Sequence, residues 1–329
     1  MKIVFLTRYF WPHVGGVERH VEAVGQELVQ LGHEVTVITL KHEAKLAESQ
    51  TYQGLKIIRL PDSNSKIELW WSLWQKRVWL KAADIIHCHD VFFWFLPFRF
   101  IWPNKPVFTT FHGWEGVWPI PRRYRWMHRM AEKLSRGSIC VGDYLIKWYG
   151  HKPDYVTYGG ITLSWYDRGI KTFTPKIKEI IFIGRLEADL GLPEYFKALK
   201  IIKKQYHLPI TFVGDGRLKR AAAKLGRVVG NVTDLRPYLN RPAAILASSY
   251  LTIWEALAYG RPVFALYQNP LKKDYLEKFP AARAINISAS AGEFLRQLET
   301  VKKAQLPIHR LIGNSWRQVA KIYLKLWQK

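Results

Sequence analysis

The stretch Ser248-Ser249-Tyr250-Leu251-Thr252-Ile253-Trp254-Glu255-Ala256-Leu257-Ala258-Tyr259-Gly260-Arg261-Pro262 decides how this chain is read. It follows the apolar run Ala243–Ala247 and precedes a second, Val263–Leu266. Together they read as strand, short helix and strand, with small polar residues where the helix starts. Free N–H groups at a helix N-terminus attract anions. Glu255 lies about one turn inside, on the side of Ser248 or Thr252, because residues three and four apart are neighbours on a helix. A carboxylate so placed can accept two ribose hydroxyls while the helix start holds phosphate, which is the chemistry of a nucleotide-diphosphate site. The stretch also reads as a buried helix whose Glu pairs with an Arg.

The same alternation recurs on either side. Strands are predicted at 179–183, ending in Gly184-Arg185-Leu186, and at 210–213, ending in Gly214-Asp215-Gly216. A helix runs from 192 to about 204 between them, 284–287 is an edge strand, and 316–327 is an amphipathic basic helix. The first half repeats the pattern: strands at 2–7, 35–40, 55–60, 84–88, 106–111, 138–141 and 154–158, with a helix at 17–31 closed by Gly32. Alternating strands and helices imply α/β domains with doubly wound parallel sheets, whose ligands sit off the carboxyl ends of the strands. There the loop after the first strand carries Gly15-Gly16, paired glycines that let backbone approach a substrate closely. Residues 162–177 are polar and irregular, a linker between two tandem domains.

A length of 329 residues exceeds a usual single core, which agrees with two domains. The net charge of +24 implies an anionic partner: nucleic acid, acidic membrane or a phosphate-bearing substrate. Of 15 Trp, 12 fall in residues 1–165. That half has 21 Lys/Arg against 14 Asp/Glu; the rest has 29 against 12. The two cysteines, Cys88 and Cys140, form no disulfide framework and fit a reducing cytosol. Lys2-Ile3-Val4-Phe5-Leu6 runs straight into Arg8 with no signal-peptide pattern, and no run of 18 apolar residues predicts a membrane span.

Two helices concern a membrane surface. Residues 66–81 read as one helix placing Ile67, Trp70, Trp71, Trp74 and Val78 on one stripe, with Lys66, Lys76, Arg77 and Lys81 as its charge. It is either a core helix with a basic outer face or an interfacial helix lying on lipid. A second helix, opened by Pro121, carries Arg122, Arg125, Arg129, Lys133 and Arg136 as a single-signed stripe. Like-charge repulsion disfavours such a stripe without an anionic partner. The segment 91–102 is nearly all apolar but too short to span a bilayer. His87-Cys88-His89 has ligand chemistry, but a strand puts Cys88 on the opposite face from the two histidines, so no metal site is expected. Asp90 is read as the cap of the next helix.

Taken in order, these pieces resemble a GT-B glycosyltransferase, nearest to glycosyltransferase family 4, over nearly the whole chain. The resemblance is carried by Gly15-Gly16-Val17-Glu18, Thr110-Phe111-His112-Gly113, Gly159-Gly160-Ile161, Gly184-Arg185-Leu186, Val213-Gly214-Asp215-Gly216 and the run from Glu255 to Pro262. It implies two Rossmann-like domains, 1–165 for the acceptor and 166–312 for the nucleotide-sugar donor, with 313–329 crossing back to the first. It further implies retaining, metal-independent sugar transfer, with His112 and Arg185 catalytic. Gly16 would lie by the donor phosphate and sugar, His112 by the transferred sugar, Arg185 by the diphosphate and Glu255 by the ribose. Gly15, Gly184, Gly214, Ser249, Leu251 and Thr252 complete the donor-binding set. Two positions depart from the pattern. The family usually pairs its phosphate Arg with a Lys five residues on, where this chain has Leu190, and the first acid of its Glu-x7-Glu motif is Ala247.

The function expected is transfer of a sugar from a UDP- or GDP-linked donor, a substrate rather than a cofactor. The acceptor is a lipid or lipid-linked molecule at the cytoplasmic face of a membrane, where the protein is peripheral. Trp70, Trp71, Trp74, Arg122, Arg125 and Arg129 would face the anionic surface or the acceptor. A soluble acceptor, or a weakly catalytic scaffold for anionic partners, are the alternatives. No nucleic-acid motif is visible.

Overall fold

The computed structural model describes residues 1–113, 115–162, 177–303 and 314–329. The expected linker, all but its end residues, and the expected domain boundaries at 165/166 and 312/313 lie outside them. The chain forms two compact units, Met1–Gly159 with Trp316–Lys329, and Gly160–Ser315.

The first unit runs β1 (Lys2–Thr7), α1 (Gly16–Gln30), β2 (Glu34–Lys41), β3 (Ser49–Tyr52), β4 (Leu55–Pro61), α2 (Lys66–Gln75) and α3 (Arg77–Ala82). It continues with β5 (Ile85–His89), α4 (Phe92–Ile101), β6 (Val107–Phe111), α5 (Arg122–Leu134), β7 (Gly137–Val141), α6 (Tyr144–Tyr149) and β8 (Tyr155–Thr157). Its sheet has the order β3-β4-β2-β1-β5-β6-β7-β8, parallel except for β3. The central strands are buried along almost their whole length, as parallel strands covered on both faces must be. The chain leaves β1 for β2 on one side and returns to β5 on the other, so the order reverses between β1 and β5. Such a reversal opens a crevice at the carboxyl edge.

The second unit runs β9 (Glu179–Ile183), α7 (Leu192–Tyr206), β10 (Ile210–Val213), α8 (Lys219–Ala223), β11 (Arg227–Gly230), α9 (Arg236–Leu239) and β12 (Ala243–Ala247). Then follow α10 (Tyr250–Ala258), β13 (Val263–Leu266), α11 (Pro270–Glu277), β14 (Ile285–Ser288) and α12 (Ala291–Lys303). The sheet order β11-β10-β9-β12-β13-β14 is parallel throughout and reverses between β9 and β12. Tyr195, Leu199, Phe182, Phe212 and Phe264 fill its core.

Three local expectations change. The helix expected over 66–81 breaks at Lys76 into α2 and α3. Leu69, Leu73 and Leu80 are the buried residues, and residue 76 falls on their face, where an ammonium cannot be buried cheaply. Asp90 does not cap α4: it takes a positive φ of 61°, and its carboxylate accepts the backbone N–H of His112 at 2.8 Å. The edge strand β3 has no apolar run to announce it, being only half-covered.

The last helix, α13 (Trp316–Trp327), packs on α1 and buries Val319, Tyr323 and Leu326 completely. Val319 and Leu326 each contribute ~1.5–3 kcal/mol by burial. Polar contacts give the docking its direction. Trp327 Nε1–H can only donate, and it meets His87 Nδ1 at 3.0 Å. A neutral His87 therefore carries its proton on Nε2 and donates to Thr110 Oγ1 at 2.7 Å. Thr110 then donates to the Tyr323 hydroxyl at 2.9 Å, which in turn donates to His20 Nε2 at 2.9 Å. Burial holds His20 neutral, its pKa lowered to about 3, and lowers His87 well below its usual range for the same reason, the neighbouring His20 adding to it.

Between pH 6.5 and 3 the unfolded chain protonates His20 and the folded unit does not, so stability is lost as pH falls through that window. The urea midpoint of this unit should be lower at pH 5 than at pH 7. Tyr323→Phe should cost a further ~1–3 kcal/mol at either pH, because Thr110 and His20 both lose a buried partner. Coincident midpoints at the two pH values would contradict the neutral-histidine assignment.

Candidate active site

In the second unit the parallel register aligns strand ends. Ala247 pairs with Ile183, and Val213 with Ile183, so the residues after β9, β10 and β12 emerge at one edge. Those residues are Gly184-Arg185, Gly214 and Ser248-Ser249. Gly214 has φ 145°, and a Cβ there would lie 1.9 Å from the carbonyl oxygen of Gly184. The two glycines thus let adjacent loops touch backbone to backbone. Arg185 projects from this edge, its side chain 61% exposed, and meets Asp189 Oδ2 at 2.9 Å. Leu190 ends a short 3-10 turn with its side chain turned towards Gly184.

The α10 helix begins across the reversal point from Arg185. Ser249 is its N-cap residue, yet its hydroxyl contacts Thr252 Oγ1 at 3.0 Å rather than a helix N–H. The Tyr250 N–H is taken by the Tyr275 hydroxyl at 2.9 Å. Ser248 Oγ donates to the Leu190 carbonyl at 3.3 Å, tying the α10 entry to the β9 loop. Thr252 and Glu255 are buried one helical turn apart, at 6% and 5% exposure, while Leu251 is half-buried. Arg185, Gly184, Gly214, Ser249, Leu251, Thr252 and Glu255 therefore share one edge of one sheet and the helix rising from it.

In the first unit Gly15 and Gly16 follow β1, and His112 follows β6. The Glu18 carboxylate folds back over Gly15 and meets His13 Nδ1 at 2.7 Å. A Cβ on Gly16 would meet nothing within 4 Å among the described residues, so space is open over that backbone. His112 Nε2 lies 2.9 Å from His89 Nδ1, and the rings of His20 and His112 meet edge to face at 4.7 Å. Burial is the main cause lowering His112 well below its usual pKa, with His20 and His87 adding to it. It is a neutral ring. Asp90 reaches the surface at the mouth of this site, yet protein surrounds it widely enough to raise its carboxyl to about 7. Asp90 also lines a cavity of about 220 Å³ with Glu115, His128 and Phe111. His87 and His89 lie ring to ring at 5.0 Å inside the sheet, and His87 is wholly engaged by Trp327 and Thr110.

The residues expected at a membrane or acceptor lie on two helices, α2 and α5, and make different contacts. Trp70 donates to the Phe93 carbonyl at 3.1 Å, and Trp74 stacks on Phe98 and Trp102 of α4 and its end. Trp71 is 61% exposed, with Ile67 and Val78 outward beside it in sequence. On α5, Arg122, Arg125 and Arg129 are all exposed, and Arg125 and Arg129 also donate to the carbonyls of Ile120 and Tyr149. Sequence reasoning passed over His20, Tyr323 and Lys272. Only the pattern of α13 hinted at Tyr323, and a lysine in a chain this basic carries no signal.

Two family models match in succession: Glycosyltransferase Family 4 over residues 14–164 and Glycosyl transferases group 1 over 177–273. An uncharacterized glycosyltransferase of Methanocaldococcus jannaschii is 24% identical over 322 residues, covering 80% of each chain. The GDP-mannose:cellobiosyl-diphosphopolyprenol alpha-mannosyltransferase of Xanthomonas campestris is 30% identical over 220 residues, 61% of this chain and 56% of that one. Anabaena HepE, solved in complex with UDP-glucose, shares the fold with a TM-score of 0.69 at 14% identity, covering 100% of this chain and 97% of the other. The class is therefore a glycosyltransferase of the GT-B type. Within it, the chain resembles family 4, whose model spans most of the first unit.

The touching loops make a direct prediction. Gly214→Ala should destabilise the second unit by ~3 kcal/mol or more, since both the positive φ and the clash are backbone terms. Urea unfolding of the variant against the parent chain measures this; an unchanged midpoint would mean that the loops do not touch in solution.

Proposed function

We propose that this enzyme moves a sugar from a UDP- or GDP-linked donor to a lipid or lipid-linked acceptor at a membrane surface, with retention at the anomeric carbon and without a metal. The observation that carries the reading is the shared edge of the second sheet, where Arg185, the α10 N-terminus and buried Glu255 stand together. As the donor bond breaks, negative charge builds on the leaving diphosphate. Arg185 and the helix N-terminus oppose that charge, and fixed donors of this kind commonly supply the largest catalytic contribution. Glu255 takes the ribose hydroxyls. Its burial lets it discriminate, since a lost hydrogen bond there is not replaced by water. In the first unit, neutral His112 is a hydrogen-bond partner for a sugar hydroxyl, and the backbone at Gly16 is open.

The relatives support both halves of the reading. The Anabaena neighbour is named with UDP-glucose, and the Xanthomonas relative is named for a GDP-mannose donor and a diphosphopolyprenol acceptor. For the membrane surface, the support is the net charge of +24 together with outward Ile67, Trp71 and Val78. No helix among the described residues is long and apolar enough to cross a membrane.

Arg185→Ala should lower kcat for donor turnover by about 10²–10³-fold, and Glu255→Ala should mainly raise the donor KM. Steady-state kinetics on a panel of UDP- and GDP-sugars reads both effects, and full activity in either variant would overturn its role. Binding to vesicles should rise with anionic lipid, fall with salt and weaken in Trp71→Ser. Equal binding to neutral and anionic vesicles would remove the membrane from the reading.

A further inference from the structure

Lys272 sits in the first turn of α11, where its N–H is capped by Asn269 Oδ1 at 2.8 Å. Its side chain turns inward and is only 6% exposed. The ammonium donates to the carbonyl of Ser248, the residue just before the α10 N-cap, and lies 3.8 Å from the centroid of the Tyr275 ring. No carboxylate lies within ion-pair distance of it among the described residues; Asp189 and Arg185 act on it only through space. One carbonyl leaves two of the ammonium's three N–H donors without an oxygen or nitrogen acceptor, with the Tyr275 ring beside them. A buried cation in that condition is costly, and an apolar side chain of the same length would pack there without the cost.

Its position explains why a cation is retained. Ser248 holds Lys272 through its carbonyl and holds the Leu190 carbonyl through its hydroxyl. The ammonium therefore stands one residue away, in space, from position 190. It enters from a different element, beside the helix N-terminus and within electrostatic reach of Arg185. Resting on the reading of the second unit as the donor unit, we propose that Lys272 is the second diphosphate-binding cation of this enzyme. It is supplied from α11 in place of a side chain at 190, and with Arg185 it brackets the leaving diphosphate.

Burial lowers the ammonium to about 7, with Asp189 working against that shift and Arg185 adding to it. Among the described residues, those two charges and the Tyr275 ring are the ionisable groups that face it. Above pH 7 the empty site holds mainly the neutral amine, so a diphosphate must recruit a proton as it binds. Affinity should fall as pH rises from 7 to 9, with proton uptake on binding.

Isothermal titration of UDP, GDP, uridine, guanosine and inorganic pyrophosphate into the full chain tests this. Lys272→Met should weaken nucleoside diphosphate binding by about tenfold or more and leave nucleoside binding unchanged. It should also abolish the proton uptake, seen by comparing buffers of different ionisation enthalpy. Leu190→Lys added to Lys272→Met should restore most of the loss. Parent-like UDP or GDP affinity in folded Lys272→Met overturns the proposal and leaves the donor reading standing. If the parent binds neither nucleoside diphosphate, the donor reading fails. Pyrophosphate then decides Lys272 by itself: Lys272-dependent binding supports an anion site, and absent or Lys272-independent binding removes it.

Discussion

A parallel sheet has a polarity, and that polarity organises this molecule. Every strand of the second unit, and all but β3 of the first, ends at the same edge of its sheet. Loops that leave that edge are brought together whatever their separation in sequence. Where the strand order reverses, between β1 and β5 and between β9 and β12, the loops part in opposite directions and leave a crevice. The glycines at these ends follow from the crowding. Gly214 presses on the Gly184 carbonyl, and no side chain could stand between them.

The first unit answers a different difficulty: polar side chains inside a packed sheet. His87 and Thr110 in the sheet, and His20 on α1 against it, are buried, and an unpartnered polar group there would be costly. The solution uses α13, which comes from the far end of the chain. Its Trp327 and Tyr323 complete a one-way line of donors through His87 and Thr110 to His20. The helix is bound as much by this matching of donors to acceptors as by its apolar face. The same burial keeps His112 uncharged at the site edge, as suits a group that would hydrogen-bond a neutral sugar.

Part of the large positive charge is committed to the fold. Arg59 is buried and donates to the carbonyls of Ala47 and Trp11, bracing the loop after β1. Arg129 and Arg261 likewise bind backbone carbonyls. A guanidinium can satisfy several carbonyls in a plane, so buried Arg59 and Arg261 are structural ties rather than free charges. Lys272 is unlike them, since one carbonyl cannot satisfy its ammonium. Partition of the charge into ties and unsatisfied cations is a better guide to anion binding than the sum.

Much of this protein was legible in its residues. Continuous apolar runs such as residues 2–7 and 243–247 are what doubly covered parallel strands require. The glycines at 15–16, 184 and 214, and an acid one turn into a helix with a Ser start, are marked by residue type alone. The break at Lys76 was present in the sequence too, as a lysine on an apolar face, but the Trp stripe obscured it. What could not be read was pairing across long separations. His20 meets Tyr323 across 303 residues, and the Lys272 ammonium meets the Ser248 carbonyl across 24, between helices whose approach is set by β13. Periodicity and residue type report the local energy of an element, so the sequence by itself determined the buried parallel strands and the helices with a clear apolar stripe, though not β3 or the break at Lys76. Which buried polar atoms find partners depends on how those elements pack, and only the tertiary structure decided that.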